Sequence, residues 1–480
     1  MDLILFELKN IFLPETVLLI FIVANLLFAL FFGRKLYKFS GRFALIATII
    51  PLSLLGLGLT SSGYTVFSES YIQTNFTLVL KVLILTGTFF AILLSQNITQ
   101  KIRHRSFEYH SLLLISAFAA MCLVSSNDFV SMFVALETLA VSCCLLVGFW
   151  NKYPAKEAAL KYVINSAIAT GILLFGIGYL YGISGEINFS QLNIHYYAQD
   201  NSALFLFAVV FILVGLSFKT GCIPFQRWIP DVYQGSPYPI AAYLSTVPII
   251  AGFGIMARII DTIMTEFPIL QFVLAFVAFL TIAYGLLGAI KQSNIKRLLG
   301  YSSVAHSGFM LLALSVFSSG GTSAFLYYAI TYLFMNYGAW SAGITFVACT
   351  GSDEIKDYKG LFYVRPYYTT AFVICLLSLA GLPPTAGFVS KLYLYTTIAR
   401  TDGSGLPILL VVIFLTIFGI YLYLNLTRIM FDKVPNPNCR MFTEQMNTKV
   451  VLYFCTLAII LAFFFADKII AMTMIASNGI

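Results

Sequence analysis

The sequence predicts an all-α polytopic membrane protein of about fourteen transmembrane helices. Three observations lead there. The 480 residues are 60% hydrophobic and only 10% charged, whereas an ordinary soluble domain carries about 25% charge. The apolar residues gather into fourteen runs long enough to cross a bilayer, which takes roughly 20 residues as a helix. Every run is far longer than a barrel strand, and none alternates between apolar and polar residues. Length alone would suggest two or three soluble domains, but no soluble fold of this size hides so much apolar surface.

In chain order the runs lie near 14–33, 43–60, 76–95, 109–125, 128–149, 157–183, 202–234, 239–261, 267–290, 298–317, 323–349, 367–397, 406–431 and 449–472. The connections alternate in charge. Arg34, Lys35, Lys38 and Arg42 follow the first run, and 60–75 holds no Lys or Arg. Lys101, Arg103 and Arg105 come next, then Lys152, Lys156 and Lys161, while 184–201 holds none. Arg227, Lys291, Lys296, Arg297, Lys356, Lys359, Arg365, Arg428, Lys433, Arg440 and Lys449 return to the first side. That side collects 21 of the 28 basic residues, and the other side and the termini hold Lys9, Arg258, Arg400 and Lys468. The positive-inside rule then makes the rich side cytoplasmic and places both termini outside. The first run is long and followed by many more, so no cleavable signal peptide is expected. The net charge of +8 is spread over these connections rather than gathered in a patch, which excludes a nucleic-acid partner and leaves membrane lipid.

Lys81, Lys219, Lys391 and Glu137 lie inside the apolar runs. Each charge at mid-membrane costs roughly 2.5–3.5 kcal/mol on insertion scales, so four unpaired ones would cost on the order of 10 kcal/mol. These groups must be paired, hydrated or both. Two runs, 202–234 and 367–397, are too long for one straight span at about 1.5 Å per residue. Each has a breaking segment at its middle: Lys219-Thr220-Gly221-Cys222-Ile223-Pro224, and Ala380-Gly381-Leu382-Pro383-Pro384-Thr385-Ala386-Gly387. A broken helix at membrane depth must line a protein-buried or wet cavity. Lys219 and Lys391 are 172 residues apart, and Glu137 and His306 are 169 apart. Five helices separate the members of each pair, as in an inverted repeat. The expected organisation is an N-terminal three-helix segment (1–108), two halves (109–265 and 266–431), and a C-terminal loop with the last helix (432–480).

A lysine can pass between charged and neutral forms, as a proton carrier must, and arginine cannot. Lys219 and Lys391, at or just past the breaks, are therefore the leading candidates, with Lys391 also readable as snorkelling near the outer face. Glu137 reads either as a structural ion-pair partner or as a group that tunes a neighbouring lysine. His306, in Tyr301-Ser302-Ser303-Val304-Ala305-His306-Ser307-Gly308, reads as a hydrogen-bonded residue or as a relay member. Lys81 either pairs within the bundle or serves a proton-uptake route. The eight cysteines show no CxxC and no metal spacing, so no metal or iron–sulfur site is expected. Motifs for nucleotide binding and nucleophilic catalysis are also lacking.

Several stretches carry a resemblance. These are Glu137 to Gly148, Lys156-Glu157-Ala158-Ala159-Leu160-Lys161-Tyr162, Leu180-Tyr181-Gly182 to Gly185, and Phe218-Lys219 through Phe225. The others are Trp228-Ile229-Pro230-Asp231-Val232-Tyr233-Gln234-Gly235-Ser236-Pro237, Asn294-Ile295-Lys296-Arg297-Leu298-Leu299-Gly300-Tyr301-Ser302-Ser303, and Leu379 through Phe388 with Lys391. Over about residues 12–470 the chain resembles subunit N of bacterial NADH:quinone oxidoreductase (complex I), within the antiporter-like membrane subunit family. The Pro-Asp-Val-Tyr-Gln-Gly motif is more like subunit N than its paralogues L and M. The chain also ends without the long lateral helix of L.

The resemblance implies a fourteen-helix fold with two inverted five-helix repeats, and a proton path through Glu137, Lys219, His306 and Lys391. It implies a redox-driven proton translocase with no redox chemistry in this chain. No cofactor is expected here; NADH, flavin, iron–sulfur clusters and quinone belong to partner subunits. Other membrane-arm subunits, especially M and K, are the implied partners. One departure stands out: Ile249 occupies a position where the family commonly has a lysine. Ser245, Thr246 and Ser302, with ordered water and His306, are expected to bridge that gap. Two alternatives are a subunit of a multi-subunit cation/proton antiporter and a non-pumping structural subunit of the membrane arm.

Overall fold

A computed structural model of the chain describes residues 12–32, 37–57, 64–67, 69–192, 202–263, 267–316, 319–400, 406–433 and 445–478. Lys9, Arg34, Lys35, Cys439 and Arg440 lie outside the described residues. The chain opens with α1 (Leu13–Phe32) and α2 (Tyr37–Leu57). A small antiparallel hairpin follows, β1 (Tyr64–Val66) against β2 (Tyr71–Gln73), with Thr65 opposite Ile72. Three residues per strand carry too little pattern to be read from sequence, and the hairpin was not expected. Next come α3 (Asn75–Ile102), α4 (Ser106–Ser125), α5 (Phe129–Gly148) and α6 (Tyr153–Ser184). Their ends obey local chemistry. Thr74 and Thr77 cap α3 reciprocally, and the Asp128 carboxylate accepts from Ser131 N at 2.6 Å at the start of α5.

The first expected break is present. α7 (Ser202–Thr220) stops before Gly221, whose φ of +72° only glycine adopts cheaply, and the chain resumes as α8 (Trp228–Gly235). The freed backbone finds side-chain partners: Trp228 Nε1 donates to Phe218 O at 3.2 Å, and Ile223 N donates to Thr281 Oγ1 at 3.2 Å. The eighth run, read as one helix, is instead two: α9 (Tyr238–Leu244) and α10 (Val247–Ile263). Pro248 is the cause. Its ring would clash with the carbonyl four residues back, at Leu244, where α9 ends. α11 (Pro268–Ile290), α12 (Ile295–Leu314) and α13 (Ser319–Thr350) follow. The last expected break separates α14 (Pro366–Ala380) from α15 (Ala386–Ala399), with Gly381 at φ +84°. α16 (Leu406–Met430), α17 (Met446–Phe464) and α18 (Ala466–Ser477) complete the chain. The final run was expected to be continuous; nothing in the structure explains its interruption at Phe465.

Among the described residues, 11 helical stretches are long and apolar enough to cross a membrane, with α9 and α10 together counted as one. Outward-facing Ile20, Leu30, Phe276, Leu410 and Phe464 are each more than half exposed, as a lipid-facing surface requires. The centre holds fully buried Tyr162, Tyr233, Tyr243, Tyr328, Tyr332, Tyr337 and Trp340. The two ends carry different polar contacts. On the basic side, Asp231 joins Lys161 (3.1 Å) on α6 to Arg297 (2.7 Å) on α12, and Asp353 meets Lys296 and Tyr238. On the opposite side, Arg258 donates to Ser126 O and to Asn127 Oδ1, and Asn127 N donates to Ser70 O in the hairpin connection.

Glycine permits close backbone approach between α11 and α12: a Cβ on Gly285 would overlap the Ala305 backbone. Gly178 has open space around its Cβ direction. Gly285→Ala should therefore destabilise the assembled protein by about 1–3 kcal/mol through overpacking. Gly178→Ala should be nearly silent. Thermal denaturation followed on native gels separates the two outcomes.

Candidate functional site

Lys219 sits in the last turn of α7, 1% exposed. Its Nζ donates to Tyr162 Oη at 3.0 Å and lies 5.4 Å from the centre of that ring and 5.5 Å from that of Phe218. α10 runs alongside, with Gly252 against the Lys219 Cβ. Glu137, midway along α5, accepts a 2.5 Å hydrogen bond from Thr170 Oγ1 of α6. It forms no direct salt bridge with Lys219 among the described residues; each of the two groups has its own hydrogen-bond partner, and they interact through space.

Lys391 is 7% exposed on α15, and its side chain reaches back across the break. Nζ donates to Ala380 O at 2.8 Å and Leu379 O at 3.1 Å, the last carbonyls of α14. A cation at the C-terminus of a half-helix also meets the negative end of its dipole. The ammonium lies 4.9 Å from the Phe309 ring centre, and Phe309 stacks on Tyr328. Tyr328 Oη is 2.7 Å from His306 Nδ1. A row thus runs Lys391, Phe309, Tyr328, His306.

The His306 ring also packs on Tyr332, 5.3 Å between centres. Tyr332 Oη lies 3.0 Å from both Ser303 Oγ and Ser245 O. Asn336 Nδ2 donates to the same Ser245 carbonyl at 3.1 Å and to Tyr332 Oη at 2.8 Å. The carbonyl that the α9–α10 break releases is therefore held by two side chains of α13. Ile249, fully buried, follows directly on α10. Of the hydroxyls expected around it, only Ser245 joins this cluster. Thr246 Oγ1 is spent on Ala242 O, and Ser302 Oγ pairs with Tyr423 Oη at 2.5 Å.

Lys81 stands apart. Its Nζ is 2.8 Å from Glu15 Oε1, 2.5 Å from Tyr71 Oη and 3.3 Å from Gln73 Oε1, and both charged side chains are fully buried. The pairing reading for Lys81 is the one the geometry matches. Glu15 was missed because it sits in the first turn of its helix, where an acid is unremarkable in sequence. Tyr162, Tyr328, Tyr332 and Asn336 were also missed. With 28 tyrosines in the chain, none stands out before the fold brings it to a break or a charge.

Residues 126–419 match the family described as "NADH:quinone oxidoreductase/Mrp antiporter, TM". The NAD(P)H-quinone oxidoreductase subunit 2 of Synechococcus elongatus is 33% identical over 431 residues, 89% of this chain and 82% of that protein. The chloroplastic subunit 2 of Chlorokybus atmophyticus is 35% identical over 432 residues, covering 88% and 83%. Among solved structures, a chain of respiratory complex I from Thermus thermophilus with bound aureothin superposes with a TM-score of 0.81. It is 27% identical, over 95% of this chain and 98% of that one. A chain of the Mrp complex from Dietzia sp. DQ12-45-1b shares the fold, with a TM-score of 0.83 at 17% identity, over 97% of each. Sequence and fold together show that the chain belongs to the NADH:quinone oxidoreductase/Mrp antiporter transmembrane family.

Proposed function

We propose that this chain is a membrane-arm subunit of an NADH:quinone oxidoreductase of the subunit N type, and that it translocates protons driven by electron transfer to quinone in other subunits. One observation carries the reading beyond family membership. Lys219 and Lys391 are buried at helix breaks, yet their ammonium groups face a phenol and two carbonyls rather than a carboxylate. Among the described residues, neither ammonium forms a direct salt bridge. Lys81, clamped by Glu15, is the contrast within the same molecule.

In this reading Lys219 and Lys391 carry protons in the two halves, Glu137 biases Lys219, and His306 serves the span between them. Moving one charge against 100 mV takes about 2.3 kcal/mol, comparable to what a change in one buried charge interaction supplies. Adding α12, α13 and the α14–α15 pair to the 11 apolar spans gives fourteen crossings. The opposed breaks near Lys219 and Lys391 fit two inverted five-helix repeats, over 109–265 and 266–431, between the 1–108 and 432–480 segments. The excess of Lys and Arg favours a cytoplasmic basic side in a bacterial inner membrane, with both termini outside. Subunits of the M and K type are the proposed neighbours. NADH, flavin, iron–sulfur clusters and quinone are assigned to partners.

Substitution at Lys391 tests the reading directly. Lys391→Met should lower the protons pumped per quinone reduced, measured in inverted membrane vesicles that carry the assembled complex. Lys391→Arg should not restore the ratio, because arginine keeps its proton. A native ratio in the arginine variant overturns a proton-releasing role. Glu137→Gln should assemble normally, since Thr170 can still donate to the amide oxygen, but should impair pumping.

The span near Ile249 gives a third test. His306→Phe breaks the bond to Tyr328 and should stop pumping. Ile249→Lys added to it should partly restore the signal by returning an amine beside the Ser245 carbonyl. Normal pumping by His306→Phe would remove His306 from the path.

A further inference from the structure

A cavity of about 620 Å³ opens on the basic side, lined by α1, α4, α5 and the start of α6. The path just described uses none of its lining residues. The polar ones come in order along α4. Arg105 caps the helix, Glu108 follows in the first turn, and Ser111 lies one turn further in, where Asn25 Nδ2 donates to its hydroxyl at 2.8 Å. Leu112 and Ile115 continue the lining, and Leu145 of α5, 51% exposed, adds to it. The stretch from Arg105 to Ser111 is about 9 Å long at 1.5 Å per residue. A headgroup layer takes up roughly 5–8 Å in each leaflet. Tyr153, 79% exposed at the start of α6, is an aromatic anchor beside the same cavity mouth. The cavity therefore runs from headgroup depth into hydrocarbon.

Its charges come in opposite pairs. Arg105 and Glu108 are both exposed, and neither forms a salt bridge among the described residues, although residues three apart on a helix are placed to pair. The backbone repeats the same two signs. α4 begins and α5 ends at this cavity, and the two helices pack side by side. The free N–H groups at the start of α4 carry a partial positive charge, and the free carbonyls at the end of α5 a partial negative one. Gly148 and Asn151, at and just past the end of α5, line the cavity. The matching ligand has an anion and a cation close together at one end of an apolar body.

We propose that this cavity binds one phosphatidylethanolamine molecule of the basic-side leaflet by its zwitterionic headgroup. The phosphate lies at the start of α4, against Arg105. The ammonium lies toward the end of α5, where Glu108 and the last carbonyls accept its N–H groups. Ser111 stands at the depth of the glycerol, and an acyl chain runs over Leu112, Ile115 and Leu145. A phosphatidylglycerol headgroup would satisfy Arg105 but brings no cation to Glu108 and the α5 carbonyls. The inference needs only the membrane fold and stands apart from the proton-translocation reading.

The test uses the assembled complex in vesicles of phosphatidylethanolamine and phosphatidylglycerol, with a trace of one or the other carrying a photoreactive diazirine in an acyl chain. Crosslinked peptides are located by mass spectrometry. Leu287 on α11, 49% exposed toward the same end of the bundle, reports ordinary lipid contact. Around Leu112, Ile115 and Leu145 the phosphatidylethanolamine probe should label about fivefold more than the phosphatidylglycerol probe, a ratio that corresponds to about 1 kcal/mol of headgroup preference. At Leu287 the two should label equally. R105Q/E108Q should bring the two probes to the same yield in the cavity. Equal labelling there in the native complex, which needs no variant, overturns the headgroup assignment. Labelling at Leu287 with none in the cavity overturns it as well, and shows that a partner subunit covers this face. A preference that survives in R105Q/E108Q also overturns it, because these two side chains would not be reading the headgroup. If the double variant does not assemble, Glu108→Gln alone decides between the same two outcomes.

Discussion

A backbone carbonyl set free at membrane depth has to find a donor inside the protein, because hydrocarbon offers none. Much of this structure depends on how that demand is met at three helix breaks. At the first, Trp228 donates to Phe218 O; at the second, Tyr332 and Asn336 donate to Ser245 O; at the third, Lys391 donates to Leu379 O and Ala380 O. Each break therefore recruits polar side chains to the middle of an otherwise apolar bundle. Two of these groups, Lys391 and Tyr332, also touch the row that leads to His306. Breaking helices and gathering polar groups are one structural act here.

The three buried lysines show how environment separates residues that are alike in sequence. Lys81 has a carboxylate, a phenol and an amide oxygen within 3.3 Å. Lys219 has one phenol and two aromatic faces, and Lys391 has two carbonyls and one face. A direct ion pair in a low-dielectric interior is held by several kcal/mol, whereas dipoles and ring faces each contribute about 1–3 kcal/mol. Moving a proton on or off the second kind of site needs less reorganisation than separating the first.

Much of this was legible in the sequence, for physical reasons. Isolated charges in apolar runs are costly wherever the runs pack, so Lys81, Lys219, Lys391 and Glu137 stood out before any fold was known. Gly221 and Gly381 marked breaks because their backbone angles are closed to other residues. The break at Ser245 was less visible, since its cause, Pro248, lies beyond it, in the first turn of the next helix. Glu15 hid at a helix start, where an acid is ordinary. The pairing of Glu137 with Thr170 rather than directly with Lys219 was beyond pattern, because it depends on how α5 and α6 face each other.

The Asp231 carboxylate is shared on the basic surface, one oxygen to Lys161 on α6 and the other to Arg297 on α12. These side chains are 30–43% exposed, unlike the buried groups at the breaks. Mobile ions screen such charges over a Debye length of about 8–10 Å at ordinary ionic strength, and over about 3 Å at 1 M. The same ions barely reach the hydrogen bonds around Lys219 and Lys391. Salt therefore acts as a selective solvent for this molecule: it loosens the clasp between α6 and α12 at the surface while the interior keeps its strength.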